Sequence, residues 1–224
     1  MKSDSELFET IRSRLFTAVL GDVMDAQGLT RQFLPPAIRA LSPSMVLVGR
    51  AMPVLEADYD GDAAQLASSK PFGLMFRALD DLKPSEVYVC TGASPEYALW
   101  GELMSTRARA LGAAGAVVDG FHRDTRGVLS TGLPVFSHGS YAQDQRLRGH
   151  VTDFRCAIEF SNGARVRPGD VLVGDIDGVL TIPGDQVEEV VHLALEKLRG
   201  EENVRELIER GQSTEEIFES TGIM

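Results

Sequence analysis

The sequence predicts a layered α/β domain built on a mixed sheet, and three stretches carry that prediction. The run from Ser85 to Gly120 contains "SEVYVC", "GELMSTRARAL" and "GAVVDG", which is strand, helix and strand within about 35 residues. The strands lack strict alternation, the pattern of parallel βαβ units with both faces covered, and such crossovers are right-handed. Further on, "FRCAIEFSNGARV" places Asn162-Gly163 where a hairpin turn belongs, and "DVLVGDIDGVLTIP" continues as antiparallel β. A long helix from about Asp185 to Arg210 then closes the chain. Helices, mixed sheet, hairpins and a terminal helix, in that order, argue against a Rossmann fold.

Taken in order, Leu7, Ile11, Leu15 and Val19 recur every four residues in the first segment, which predicts one or two short helices punctuated by Gly21 and Gly28. "SMVLVGRAMPVLEA" predicts a strand pair. Between Asp58 and Leu82 the pattern is weaker, with a helix expected in "GLMFRALDDL". "RGVLSTG" is expected to form a short turn or helix, "LPVFSH" a strand, and the residues from Ser213 a short final helix. No repeat or low-complexity linker divides the chain, so residues 1–224 are expected to form one domain with a helical segment from about 185.

Composition narrows the function classes. A net charge of -11 and a pI near 4.8 argue against a general binder of nucleic-acid backbones, which needs a basic face. Cys90 and Cys156 both lie in apolar, strand-like stretches and are expected to be buried free thiols, as suits a reducing cytoplasm. "MKSDSELFETIRSRLF" lacks the apolar core of a signal peptide, and no apolar run is long enough to span a bilayer, so neither a membrane nor a nucleic acid is an expected partner.

In open parallel sheets, ligands gather beyond the carboxyl ends of the strands. "SEVYVC" runs on to Gly101 and Glu102 at a helix start, and "GAVVDG" runs on to Arg123 and Asp124. If the two strands are neighbours, these residues share one sheet edge. Helix N-termini accept anions, and an arginine fork grips a carboxylate. One or two carboxylates suffice for a hydrated Mg²⁺, with Asp124 the natural direct ligand. A metal and an arginine at one substrate oxygen make an enolate accessible. Plainer readings stand beside this one: Glu102 suits the first turn of any helix, and Arg123-Asp124 could be a solvated turn. His122 has no second histidine at zinc spacing and is expected to be a loop residue. "GDIDG" lacks the alternating ligands and terminal glutamate of a calcium loop, which favours a turn between strands.

"ALWGELMSTRARALGAAGAVVDGFHRD" resembles the signature of the RraA-like family, whose catalytic members are class II pyruvate aldolases. "FTAVLGDVMDAQG", "GLPVFSHG" and "RVRPGDVLVGDIDGVLTIP" extend the resemblance over most of the chain. It implies a β/β/α swivelling-domain fold, assembled as homotrimers or homohexamers with sites between subunits. It also implies a metal-dependent carbon–carbon lyase that cleaves 4-hydroxy-4-methyl-2-oxoglutarate or 4-carboxy-4-hydroxy-2-oxoadipate to pyruvate and a keto acid, with oxaloacetate decarboxylase activity. Asp124 would bind Mg²⁺ or Mn²⁺ directly, while Glu102, and Glu201 of a neighbouring subunit, would act through water. The backbone of Gly101, Leu103 and Met104 would hold the pyruvate carboxylate, and Arg123 would contact the keto oxygen. Aldolases of this group often carry aspartate at the position of Glu102.

A Schiff-base route needs a lysine at the keto carbon, and Lys2, Lys70, Lys83 and Lys197 all lie outside the motif. The same family contains regulators that bind and inhibit a ribonuclease. A non-catalytic protein of that kind, and a related enolate-forming lyase on another keto acid, are the competing expectations.

Overall fold

A computed structural model of the chain describes residues 3–59, 61 and 71–223. Its centre is an eight-stranded mixed sheet. The strands are β1 (Arg39–Ala40), β2 (Leu47–Asp58), β3 (Glu86–Thr91), β5 (Gly115–Val118), β7 (Val135–Ser137), β8 (Gly149–Phe154), β11 (Val171–Asp175) and β12 (Gly178–Ile182). They run in the order β1-β7-β5-β3-β2-β11-β12, with β8 also on β2. The parallel part, β2, β3, β5 and β7, contains the crossover anticipated from the sequence, and β8, β11 and β12 are antiparallel additions.

The sheet nearly closes on itself. Leu34 N–H donates to Val179 and Thr181 N–H to Gln32, so this segment lies along β12 before β1 pairs with β7 at the opposite edge. Both faces of the strands are covered, as expected, one of them by the sheet itself. Alternate residues point into the nearly closed sheet, where Leu47, Val87, Val89, Val117, Phe136 and Leu172 form an inner core. The others point outward under helices. Unbroken apolar strands therefore fit a two-sided core whose inner side is sheet against sheet.

"SMVLVGRAMPVLEA" forms one long strand instead of a pair. One edge of β2 pairs with β3 over Arg50–Leu55, while the other changes partner from β11 at Leu47–Arg50 to β8 at Val54–Asp58. Pro53, with no N–H to donate, stands at that changeover. A bulge follows between Leu55 and Glu56.

The first segment forms two helices, Asp4–Arg14 and Thr17–Ala26. Ser3 and Glu6 make a capping box on the first, and the Asp175 carboxylate accepts from both Thr17 N–H and Oγ1 at 2.7 Å to hold the start of the second. "GDIDG" is thus the tight turn between β11 and β12, with its first acid used as a helix cap. Both helices pack with the long helix Val187–Glu209 over one outer face, and Thr214–Thr221 follows. Met75–Asp80, Glu102–Ala110 and Thr125–Thr131 cover the other, and this second layer frames the site. The hairpin at Asn162-Gly163 joins β9 (Ile158–Glu159) to β10 (Arg165–Val166). Cys90 is buried and Cys156 half-buried, both as free thiols. Among the described residues no helix is long and apolar enough to cross a membrane.

Candidate active site

β3 and β5 pair in parallel, with Cys90 opposite Val118, so both chains leave the sheet at the same edge. There they pair again, as β4 (Ala98–Trp100) and β6 (Phe121–His122). Arg123 N–H donates to Trp100 carbonyl at 2.9 Å, which ties the two exits together one residue before each turns into its helix. The twenty-residue gap between Glu102 and Arg123 is thereby closed by one strand pair.

Gly101 is the N-cap of helix Glu102–Ala110, and no side chain caps that end, leaving its first-turn N–H groups open to an anion. The absence of a side chain at Gly101 has a steric reason. A Cβ there would lie 2.9 Å from Asp124 Oδ2 and 3.5 Å from Arg123 Cγ. The indole N–H of buried Trp100 donates to Ser105 Oγ at 2.7 Å, and Ser105 donates to Gly101 carbonyl at 3.1 Å, so the turn is fixed from below.

Asp124 is the N-cap of helix Thr125–Thr131 and holds the left-handed conformation, φ 57° and ψ 37°. Backbone in this region is uncommon outside glycine, is best tolerated by Asn and Asp, and concentrates at functional sites. It turns the Asp124 carboxylate to the cavity that Gly101 and Arg123 also line. Arg123 sits between two acids, with Nε 3.7 Å from Asp124 Oδ2 and Nη1 3.5 Å from Asp144 Oδ1. These are long contacts on half-exposed groups, which leaves the guanidinium free to turn toward a ligand.

The cavity encloses about 390 Å³. Gly101, Leu103, Met104, Arg123 and Asp124 all line it, so five of the seven residues expected to act here meet in one place. Glu102 stands just outside that lining, its carboxylate folded over Gly127 in the first turn of the next helix. Glu201 lies on the long helix, where it accepts from Lys197 at 3.0 Å. Within one chain it does not reach the cavity.

Sequence reasoning missed Asp144 and Gln145, which come from an irregular segment beside β4. It also missed Glu56. That carboxyl is buried at the bulge of β2, accepts from Gln145 Nε2 at 2.7 Å, and leaves its Oε1 without a partner. Burial pushes its pKa up to about 8 against the smaller opposing effect of the Gln145 bond. His122 is no loop residue: it is buried on β6, its ring nitrogens meeting Ser137 Oγ at 2.8 Å and Thr125 Oγ1 at 3.0 Å. Burial lowers its pKa, and its two hydrogen bonds tie β6 to β7 and to the start of the helix that follows Arg123.

Among the described residues, no three His, Cys, Asp or Glu side chains gather as a metal cage. The donors suit a hard cation that keeps most of its water, since the Asp124 carboxylate accepts no hydrogen bond from any described residue and lines the open cavity. No described lysine lines the cavity: Lys83 pairs with Asp81, and Lys197 with Asp22 and Glu201.

The fold and this site define an α/β protein that brings an arginine, a carboxylate and an open helix start together at one sheet edge. Residues 17–181 match the RraA-like family, described as Aldolase/RraA, and the chain belongs to that family. It is 31% identical over 187 residues to a Halalkalibacterium halodurans protein named "Putative 4-hydroxy-4-methyl-2-oxoglutarate aldolase", covering 83% of this chain and 81% of that one. It is 29% identical over 206 residues to protein DlpA of Legionella pneumophila, covering 91% of this chain but spanning only 32% of DlpA. The fold matches the crystal structure of Streptomyces coelicolor RraAS2, described as an unusual member of the RNase ES inhibitor RraA protein family. The TM-score is 0.78 at 22% identity, over 92% of this chain and 98% of the other.

Proposed function

We propose that this protein is a divalent-cation-dependent pyruvate aldolase that cleaves 4-hydroxy-2-oxo acids to pyruvate and a second carbonyl compound. The observation that carries this reading is the meeting of Gly101, Arg123 and Asp124 at one end of a single cavity, with room left by the glycine where a Cβ would press on the Asp124 carboxylate. The named aldolase relative supports the same class of reaction.

In this reading Asp124 holds Mg²⁺ or Mn²⁺. When bound, the cation polarises the 2-oxo group and offsets the negative charge that develops there. First-turn N–H groups beyond Gly101, at Leu103 and Met104, bind the substrate carboxylate. Arg123 donates to the 2-oxo oxygen and strengthens its hold as that oxygen gains charge, the step in which a single donor is worth about 2.7–4 kcal/mol. Glu102 orients water that takes the 4-hydroxyl proton. In a trimer or hexamer, Glu201 of a neighbouring subunit would hold water beside the bound cation. Oxaloacetate, which loses CO₂ through the same enolate, is a second substrate.

Pyruvate release from a panel of 4-hydroxy-2-oxo acids and oxaloacetate, with Mg²⁺ or with EDTA, tests this on wild type and Asp124→Asn. Turnover that needs the cation and Asp124 is expected; turnover indifferent to both contradicts the proposal. No turnover on any substrate, together with tight binding to a ribonuclease, would favour a regulator of the class in which RraAS2 is placed by its description.

A further inference from the structure

Beyond Gly101, Arg123 and Asp124 the cavity continues along a wall of carbon, formed by Phe72, Met75, Phe76 and Leu79 on one side and by Trp100 and Leu103 on the other. The charges along it are as informative as the carbon. Besides Arg123, the cation among the described lining residues is Arg107, and its Nε already donates to Asp80 at 2.8 Å. Asp80, Asp124 and Asp144 outnumber the two arginines. One substrate carboxylate and a 2-oxo group therefore find partners at the Arg123 end. Along this chain's described lining, a second carboxylate farther on would meet hydrocarbon, Asp80 and an Arg107 whose Nε is already engaged by that acid.

Resting on the aldolase reading above, we propose that the substrate is a monocarboxylic 4-hydroxy-2-oxo acid whose C4 substituent is apolar, a branched alkyl or aryl group seated on this wall. This narrows the distal arm differently from the di- and tricarboxylic acids that the family resemblance implies. The chemistry is otherwise unchanged. The C3–C4 bond breaks, its electron pair passes to C3 as the pyruvate enolate, the 4-hydroxyl proton leaves to water, and C4 becomes the carbonyl of an apolar aldehyde or ketone. A proton returned to C3 completes pyruvate. The volume of about 390 Å³ lies within the range of small-molecule sites and accommodates a phenyl-sized arm together with the pyruvyl end.

The test compares kcat/KM for 4-hydroxy-2-oxo-4-phenylbutanoate and 4-hydroxy-4-methyl-2-oxoglutarate with Mg²⁺, on wild type, Phe76→Asp and Phe76→Leu. Phe76 is 59% exposed, so substitution there spares the core. Wild type is expected to favour the phenyl substrate at least tenfold, the discrimination an apolar subsite gives. Phe76→Asp should reduce that ratio roughly tenfold, and Phe76→Leu should retain most of it.

A preference for the dicarboxylate, or a ratio unmoved by Phe76→Asp, overturns the proposal. So does dissociation of Phe76→Asp into smaller species with equal loss of both substrates, which would make the wall an interface between copies of the chain. Exchange of pyruvate methyl protons with D₂O separates the two levels of inference. If wild type exchanges them but prefers the dicarboxylate, the apolar arm alone is wrong; if it does not exchange them, the aldolase reading fails and this proposal with it.

Discussion

Glu102 and Gly127 fit each other across two helices: a Cβ at position 127 would lie 2.3 Å from Glu102 Oε2 and 2.5 Å from its Cδ. The carboxylate that opens one helix rests on the bare backbone of the first turn of the other. Gly127→Ala should therefore displace Glu102 while leaving Arg123 and Asp124 in place. Alanine is the better helix former by roughly 1 kcal/mol, which offsets the cost of moving the Glu102 side chain, so the melting temperature should hardly move. Pyruvate release should fall about tenfold, the lower end of what a misplaced orienting group costs. Unchanged turnover would remove Glu102 from the reaction.

The left-handed backbone of Asp124 separates its chemical role from its structural one. Asparagine tolerates this region nearly as well as aspartate, so Asp124→Asn should melt with wild type. Its pyruvate release should drop at least a hundredfold, since removing one group that stabilises developing charge costs about 10²–10³. Asp124→Ala should lose about 1–2 kcal/mol of stability in addition, because a Cβ without a helpful side chain is strained there. Equal melting temperatures for the two variants would argue against that strain.

What residue order reveals is the part of the site built locally. The β3–helix–β5 crossover is a single unit whose period and punctuation are visible, and it alone brings Gly101 and Glu102 to Arg123 and Asp124. Other features depend on pairings between distant segments. Glu56 reaches Gln145 across 89 positions because β2 changes partner and bulges, and the "SMVLVGRAMPVLEA" pattern does not distinguish one long strand from two. His122 reads as a loop residue because β6 is two residues long and is held by β4, not by a recognisable strand pattern. The carbon wall is illegible for a related reason: Phe72 and Phe76 fall in the weakly patterned stretch, part of which, 62–70 with residue 60, lies outside the described residues.

Trp100 is almost wholly buried, and its N–H has Ser105 Oγ as its partner. Ser105→Ala would strand that donor and release Gly101 carbonyl from its second bond. A loss of about 1–3 kcal/mol is expected from denaturant titration. Ser105→Thr, which keeps the hydroxyl, should recover part of it. A neutral Ser105→Ala would mean that the turn at Gly101 is held by strand pairing alone.

Glu56 gives the fold a pH dependence of defined sign. Burial raises its carboxyl from the usual 4.5 to about 8, so between these values the folded chain holds a proton that the unfolded chain has released. Stability from this group is complete below about 4.5, declines as pH rises, and levels off above about 8. A tenfold change in proton affinity corresponds to about 1.4 kcal/mol, which makes the loss on the order of a few kcal/mol. Glu56→Gln copies the protonated acid and should flatten this part of the profile, gaining on wild type between urea melts at about pH 5.5 and about pH 8.5, either side of most of that decline. Parallel profiles would show that Glu56 is ionised when folded.

Arg123 and Asp124, with a divalent cation, stabilise the enolate of pyruvate in the proposed reaction, and everything else assigned to the site depends on that. Proton NMR of pyruvate in D₂O measures it directly, with no need to know the distal arm of the substrate. Wild type with Mg²⁺ should exchange the methyl protons, and EDTA, Asp124→Asn or Arg123→Ala should each suppress the exchange at least a hundredfold. Exchange that persists in EDTA and in Asp124→Asn, or its absence from folded wild type with Mg²⁺ or Mn²⁺, would contradict the proposed role of both residues.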